Sequence, residues 1–239
     1  MSRLFKVVWF SIRAVYDNLF MLGGAGGLWL IMSVLLPAGV WWLTDAFLPF
    51  PLLAFPLRLA SLLLIPPSTA AVYDLTFQMA KTRRVELADW WAGFRAYLRP
   101  SFQIAGVLAV SGVILAVDLL FYLGNSQQIV FLVIGLAGLW VAIFWFGIQI
   151  YLWPLLVSQE EKRQAQLWKN AALLALAFPF FAVGVLIVTA LITALSVAMP
   201  PLLLVWMPLV AMLNNRAFLS TLDEVNAIQR KRRELEQQS

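Results

Sequence analysis

The chain contains no cysteine and no histidine, and only 12% of its 239 residues are charged. The missing thiols and imidazoles exclude disulfides, thiolate nucleophiles, Cys/His zinc sites and histidine general bases. No P-loop or Ser-Lys pair compensates for them. We therefore expect no metal, no cofactor and no enzymatic activity. A soluble domain has about a quarter of its residues charged, so the low charge excludes a soluble domain.

The chain is instead rich in apolar residues: 62% of its residues are hydrophobic, and its mean hydropathy is +0.86. A membrane-spanning helix needs roughly 20 apolar residues, and several such runs are present. We predict a single all-α domain over residues 1–239, a polytopic membrane bundle of six helices in three hairpins. The predicted spans are 18–44, 47–66, 102–123, 129–157, 171–198 and 201–216, followed by an amphipathic tail, 217–239.

The basic residues alternate between the connections. All 17 Lys and Arg residues except Arg58 fall in the segments 1–17, 81–99, 158–169 and 216–239. The connections 45–50, 124–128 and 199–200 contain none. Cytoplasmic loops carry such an excess of positive charge. The pattern predicts a multi-pass protein with both termini in the cytoplasm and the lipid bilayer as its partner. The net charge of +5 then needs no nucleic acid to explain it.

Amphipathic helices are predicted on the cytoplasmic side. In the segment 81–99, Leu87, Trp91, Phe94 and Leu98 recur at helical spacing, which predicts a helix lying on the inner leaflet. The first 17 residues and the tail show similar patterns. The tail could lie on the bilayer or dock on a partner.

Arg58 is the one basic residue inside an apolar run. A charge at the centre of the bilayer costs about 3 kcal/mol or more and is therefore usually paired or hydrated. If the second span ends at Pro66, Arg58 lies near the midplane; if the chain stays in the membrane to Met79, it lies in the outer half. We expect a pair with Asp118 in the third span. A structural pair, snorkelling to water and a substrate or ion site remain alternatives.

Pro66 and Pro67 interrupt the same run, because two prolines remove two backbone donors and clash with the preceding turn. Ser68 or Thr69 could provide the N-cap of a new helix. The break is either a bend at the inner interface or a broken helix within the bilayer, as found at transporter binding sites. We favour the bend.

Two small residues in the first span, Gly23 and Gly27, have the spacing that allows close helix packing. Asp74 is a further intramembrane polar candidate. Asp74 and Asp118 could suggest an intramembrane aspartyl protease, but the chain lacks the glycine-flanked GxGD motif of that class.

The segment PPSTAAVYDLTFQMA, and then WWAGFRAYLRPSFQIAGVLAVSGVILAVDLLFYLG, resembles the bacterial YesL family, which carries a domain of unknown function. Over about 65–123 the chain is similar to that family in its Pro-Ser/Thr-Ala-Ala break, its aromatic-basic helix and its Asp-Leu-x-Phe/Tyr element. The resemblance implies a bacterial inner-membrane protein with an accessory role in carbohydrate transport. It supplies no catalytic residues.

Two functions follow as expectations. The first is a non-enzymatic accessory or regulatory protein that presents the 81–99 helix and the tail to a membrane transporter subunit. The second is a small-solute transporter or channel that uses Arg58 and Asp118. A homo-oligomer is compatible with either.

Overall fold

The computed structural model describes residues 3–48, 51–81, 84–159 and 163–238, and all regular structure in those ranges is helical. The tip of the first hairpin, 49–50, and the basic residues Arg83 and Lys162 lie outside the described residues. The α-helices are α1 (Arg3–Asp17), α2 (Leu19–Leu30), α3 (Leu36–Phe47), α4 (Pro51–Leu62), α5 (Ile65–Ala80), α6 (Leu87–Ala96), α7 (Leu98–Gly124), α8 (Ile129–Ser158), α9 (Gln164–Ala177), α10 (Pro179–Ala198) and α11 (Leu203–Gln238). A π-helical turn, Ile31–Leu35, joins α2 to α3, and a short 3₁₀ turn, Pro200–Leu202, precedes α11.

Six of the helical segments are long and apolar enough to cross a membrane. By length and composition, this confirms the predicted all-α chain with six candidate spans. The third and fourth spans differ from their predicted ranges by only a few residues. The six segments are Leu19–Phe47, Leu52–Ala80, Leu98–Gly124, Ile129–Ser158, Pro179–Ala198 and Pro200–Gln237.

The second span differs most from its prediction. The predicted range 47–66 stops at the prolines, whereas the structural segment continues to Ala80 through a second helix, α5. The predicted span left α5 out because this helix carries several hydroxyl side chains, yet ten of its residues are buried. Helix–helix contacts, which the chain's local composition does not report, keep this polar segment inside the bundle.

The fifth span is shorter than its predicted range, 171–198. Helix α9 ends at Ala177 and α10 begins at Pro179, so the first residues of the predicted span belong to a separate helix. Proline fits the first turn of a helix but cannot continue the preceding one. The apolar run therefore holds two helices.

The sixth span and the tail form one helix. Helix α11 runs without interruption from Leu203 to Gln238, through Asn214 and Asn215, which are both buried. The predicted boundary at residue 217 is therefore not a helix boundary. Only the last part of the helix, from Asn226 to Gln237, is exposed on nearly every side.

Helix α5 lies at the centre of the packing and contacts α2, α6, α8 and α11. The basic segments meet at one end of the bundle, where Arg3, Ala80 and Arg216 line a single cavity. We call this the basic end. Towards the opposite end, the hairpins α3–α4 and α7–α8 expose most of their apolar side chains. Packing is therefore densest in the half of the molecule nearest the basic end.

Candidate functional site

The helix break lies beside a line of buried hydroxyl groups. The turn falls at Leu63–Leu64, immediately before Pro66 and Pro67, which occupy the first turn of α5. Leu64 is the N-cap residue and makes no side-chain cap, so the predicted capping by Ser68 or Thr69 is wrong. Both hydroxyls lie inside the helix and face α2 and the π-helical turn instead.

Two hydrogen bonds fix the height of this break. The Trp29 indole N–H donates to Thr69 Oγ1 at 3.0 Å, and the hydroxyls of Ser33 and Ser68 are 2.7 Å apart. Ser33 is the middle residue of the 29-residue segment Leu19–Phe47. Ser68, four residues after the turn, is therefore level with the middle of the first spanning segment. The interfacial bend and the broken helix within the bilayer both remain predictions.

The polar line continues along α5 to α11. Asn214 Nδ2 donates to the Tyr73 hydroxyl at 2.7 Å, while Asn215 Nδ2 donates to the Tyr73 carbonyl and to Thr76 Oγ1, each at 2.9 Å. The side-chain oxygens of both asparagines are buried without a hydrogen-bond partner among the described residues. We call Ser33, Ser68, Thr69, Tyr73, Thr76, Asn214 and Asn215 the polar seam. The sequence signal for it was the pair of adjacent amides, Asn214 and Asn215, at the end of the last predicted span.

Asp74 lies at the edge of the seam, nearer the basic end. Its carboxylate accepts a hydrogen bond from Gln78 Nε2 at 3.0 Å. The Tyr97 hydroxyl lies 3.3 Å from Asp74 and 3.4 Å from the carbonyl oxygen of Val157, and it can donate to either. Burial, reinforced by the adjacent Asp74 carboxylate, raises the pKa of Tyr97. Tyr97 thus stays a protonated donor, and Asp74 serves here as its acceptor between helices.

The expected pair between Arg58 and Asp118 is wrong. Arg58 forms an ion pair with Asp45 on the adjacent helix of its own hairpin, α3–α4, and its Nε donates to Thr44 Oγ1 at 2.8 Å. Its guanidinium also lies 5.5 Å from the ring centroid of Trp41. These contacts direct the side chain towards the connection between α3 and α4, away from the middle of the span. Arg58 is therefore satisfied locally.

Asp118 is exposed on α7, and no ion pair or hydrogen bond of its side chain exists among the described residues. Its neighbours Val117 and Leu120 are 59% and 76% exposed, so the carboxyl lies on an apolar outer face. The structure does not bring Arg58, Asp74 and Asp118 together into one site.

The closest helix contact of the first span is made by a different glycine from the predicted pair. A Cβ at Gly23 would meet nothing within 4 Å, and one at Gly27 would make only ordinary contact with Leu204. A Cβ at Gly26 would overlap the carbonyl oxygen of Leu204. Pro208 lies four residues after Leu204 and has no N–H, so this carbonyl lacks its normal helical donor. The free carbonyl packs against the glycine of α2 instead.

Helix α6 is present, but its buried face differs from the predicted stripe. Trp90 and Phe94 are 1% and 7% exposed, whereas Leu87, Trp91 and Leu98 are exposed. Glu86 and Asp89 form a reciprocal capping box at its start, which explains where the helix begins. The prediction placed Trp91 and Phe94 on one face; packing against α5 turns Trp90 inward instead and leaves Trp91 on the surface.

A second polar surface lies at the basic end. A groove of about 610 Å³ runs beside α11 and includes Lys81, Asn170, Leu222, Val225 and Gln229 in its lining. Beyond it, the exposed segment Asn226–Gln237 extends α11 by 12 residues, about 18 Å of helix. We call the groove and this segment together the tail surface. No residue of the polar seam lines the groove.

Arg3 fixes the base of this surface. Its Nε donates to Ser220 at 2.9 Å and its Nη2 to Thr221 at 2.7 Å, and it forms an ion pair with Glu224. Its guanidinium also lies 3.9 Å from the ring centroid of Phe181. The N-terminal helix therefore holds α11 in place at the point where α11 leaves the bundle.

The fold defines a helical protein with six helices able to cross a membrane. Among the described residues, no group of three or more acidic side chains could hold a metal ion. Comparisons of the chain with protein-family models, with curated proteins and with solved structures find no match. The resemblance to the YesL family and the function that it implies therefore remain predictions.

Proposed function

We propose that this protein is a non-enzymatic accessory subunit of a membrane transport system. Its six helices would cross the bacterial inner membrane as three hairpins, with both termini and the basic end in the cytoplasm. The charge pattern supports this orientation, because the excess of Lys and Arg follows the cytoplasmic side. The close approach of Arg3, Ala80 and Arg216 at one end agrees with it.

The observation that carries the proposal is the free end of α11. A helix of about 12 residues is marginal in water on its own, and the residues Asn226–Gln237 are all exposed. Ile228 and Leu235 are 57% and 60% exposed and lie seven residues apart, on one side of the helix. Such a side gains stability by packing against another helix.

The groove provides a second region of the tail surface to which a partner could bind. Leu222 and Val225 form apolar lining, and Lys81, Asn170 and Gln229 add polar groups. This combination suits an amphipathic cytoplasmic helix of a transporter subunit, which would bury its apolar side against α11. A carbohydrate transporter is the partner that the sequence resemblance implies.

The polar seam favours a second candidate, a small-solute transporter. It combines a helix break with unpaired amide oxygens at Asn214 and Asn215. Three cavities at the basic end are lined neither by seam residues nor by Arg58. The tail surface is therefore the better supported site.

Purification of the tagged protein from its host in mild detergent, followed by mass spectrometry, tests the proposal. We expect a stoichiometric transporter subunit that is lost when Ile228 and Leu235 are both changed to Ser. The matched control is Ile129→Ser, an exposed apolar residue at the opposite end. A protein that purifies alone, or as a homo-oligomer holding a small solute, contradicts the accessory role and favours transport.

A further inference from the structure

A cavity of about 550 Å³ lies between α1 and α11 at the basic end, next to the groove of the tail surface, with which it shares Leu219. Its lining includes Lys6 and Phe10 from α1 and Arg216, Ser220 and Asp223 from α11. We call it the α1–α11 cavity. It combines basic groups with an apolar wall and opens at the level where the spanning part of the bundle ends.

Arg216 has a donor that the described residues do not satisfy. Its Nε is buried and lacks a hydrogen-bond partner, and no ion pair to Arg216 is present. The guanidinium lies 5.9 Å from the ring centroid of Phe10, which shields one side of it. An unsatisfied buried donor on a charged group is unfavourable, so this geometry calls for an anionic acceptor.

The other charges of the cavity leave it positive. Arg3 also lines it, but its charge is balanced by Glu224. Lys6 is exposed and has no ion pair among the described residues. Within this cavity Lys6 and Arg216 therefore face one carboxylate, that of Asp223. Arg216 also lines a neighbouring cavity, in which the Asp17 carboxylate is paired with Arg13. The cavity suits one compact anion rather than a polyanion.

We propose that the α1–α11 cavity binds the phosphate group of an anionic phospholipid. A phosphate offers several acceptor oxygens to Arg216 and Lys6, and charge-assisted bonds of this type are strong. Basic pockets between spanning helices on the cytoplasmic side are suited to lipid headgroups. Phe10 and Leu219 in the lining provide apolar contact for the glycerol and the start of the acyl chains. Free phosphate shares the ionic contacts but not the apolar ones.

The test is the thermal unfolding midpoint of the full-length, detergent-purified protein with phosphatidylglycerol, phosphatidylcholine or inorganic phosphate added. We expect phosphatidylglycerol to raise the midpoint and the other two to have little effect. Arg216→Gln and Lys6→Gln should each weaken phosphatidylglycerol binding about tenfold, the loss expected for one charge-assisted hydrogen bond. Arg230→Gln, in the exposed segment of α11, is the matched control and should bind normally.

Three results would overturn the proposal. Equal stabilisation by phosphatidylcholine would show that headgroup charge is irrelevant, and equal stabilisation by inorganic phosphate would exclude a lipid source. An equal loss in Arg230→Gln would show diffuse attraction instead of a site. If Arg216→Gln does not fold, Lys6→Gln decides the matter, because the Lys6 side chain is exposed.

Discussion

The contact between Gly26 and Leu204 gives the sharpest stability prediction. An added Cβ at Gly26 would overlap the Leu204 carbonyl oxygen, lie 2.8 Å from its carbon and lie 3.1 Å from Pro208 Cδ. Because the obstacle is backbone, no rotamer change relieves it. We predict that Gly26→Ala forces α2 and α11 apart, while Gly23→Ala on the same helix is tolerated.

The expected magnitude follows from two opposing terms. Overpacking of a close contact costs about 1–3 kcal/mol of stability. Gly26→Ala lies at the upper end of this range, because it forces two helix backbones apart. Replacement of a helical glycine by alanine returns about 1 kcal/mol. The net loss is about 2 kcal/mol, which corresponds to a fall of roughly 4–8 °C in the unfolding midpoint for a chain of this size.

Thermal unfolding in detergent, followed by the fluorescence of the 11 tryptophans, measures this difference. Gly23→Ala should match or exceed the wild-type midpoint, because its added methyl meets no atom within 4 Å. A Gly26→Ala protein as stable as Gly23→Ala would refute the packing described for α2 and α11.

Three further predictions concern topology, Arg58 and the polar seam. Single cysteines at Asn125, Gln164, Ala198 and Gln237, introduced into a chain that has none, should react with an impermeant thiol reagent in intact cells only at Asn125 and Ala198, which lie in or beside non-basic connections. Labelling of Gln237→Cys would contradict the six-span orientation. Asp45→Asn should lower stability by about 1 kcal/mol through loss of the Arg58 ion pair, whereas Asp118→Asn should leave unfolding in detergent unchanged; equal effects would argue against the Asp45 pairing. Asn215→Ala removes hydrogen bonds to Tyr73 and Thr76 and should cost about 1–2 kcal/mol, measured against Asn226→Ala in the exposed helix.

Composition predicted the helical spans well where hydropathy alone determines them. The third and fourth spans are continuous apolar runs, and their ends coincide with polar connections. The predicted second span ended too early, because the contacts between helices that hold α5 inside the bundle cannot be read from its composition. A buried hydroxyl or amide that hydrogen-bonds across the bundle looks, in sequence, like the end of a membrane segment.

The candidate site was less predictable, because the partner of a side chain depends on which helices pack against each other. Asp118 was the predicted partner of Arg58, but the arrangement of the hairpins places Asp45 beside it instead. The glycine that makes the close contact depends on the rotation of α2 about its axis. Gly26 is one residue from the predicted Gly27, a rotation of about 100°.

The most direct test of the central claim is cross-linking from the tail surface. A photoreactive group on Gln229→Cys would lie in the groove beside α11, and the same group on Asn125→Cys would lie at the opposite end. We predict that illumination of host membranes joins Gln229→Cys to one transporter subunit, with no such product from Asn125→Cys. Absence of a product at Gln229, or the same product from both positions, would contradict a partner-binding surface at the basic end.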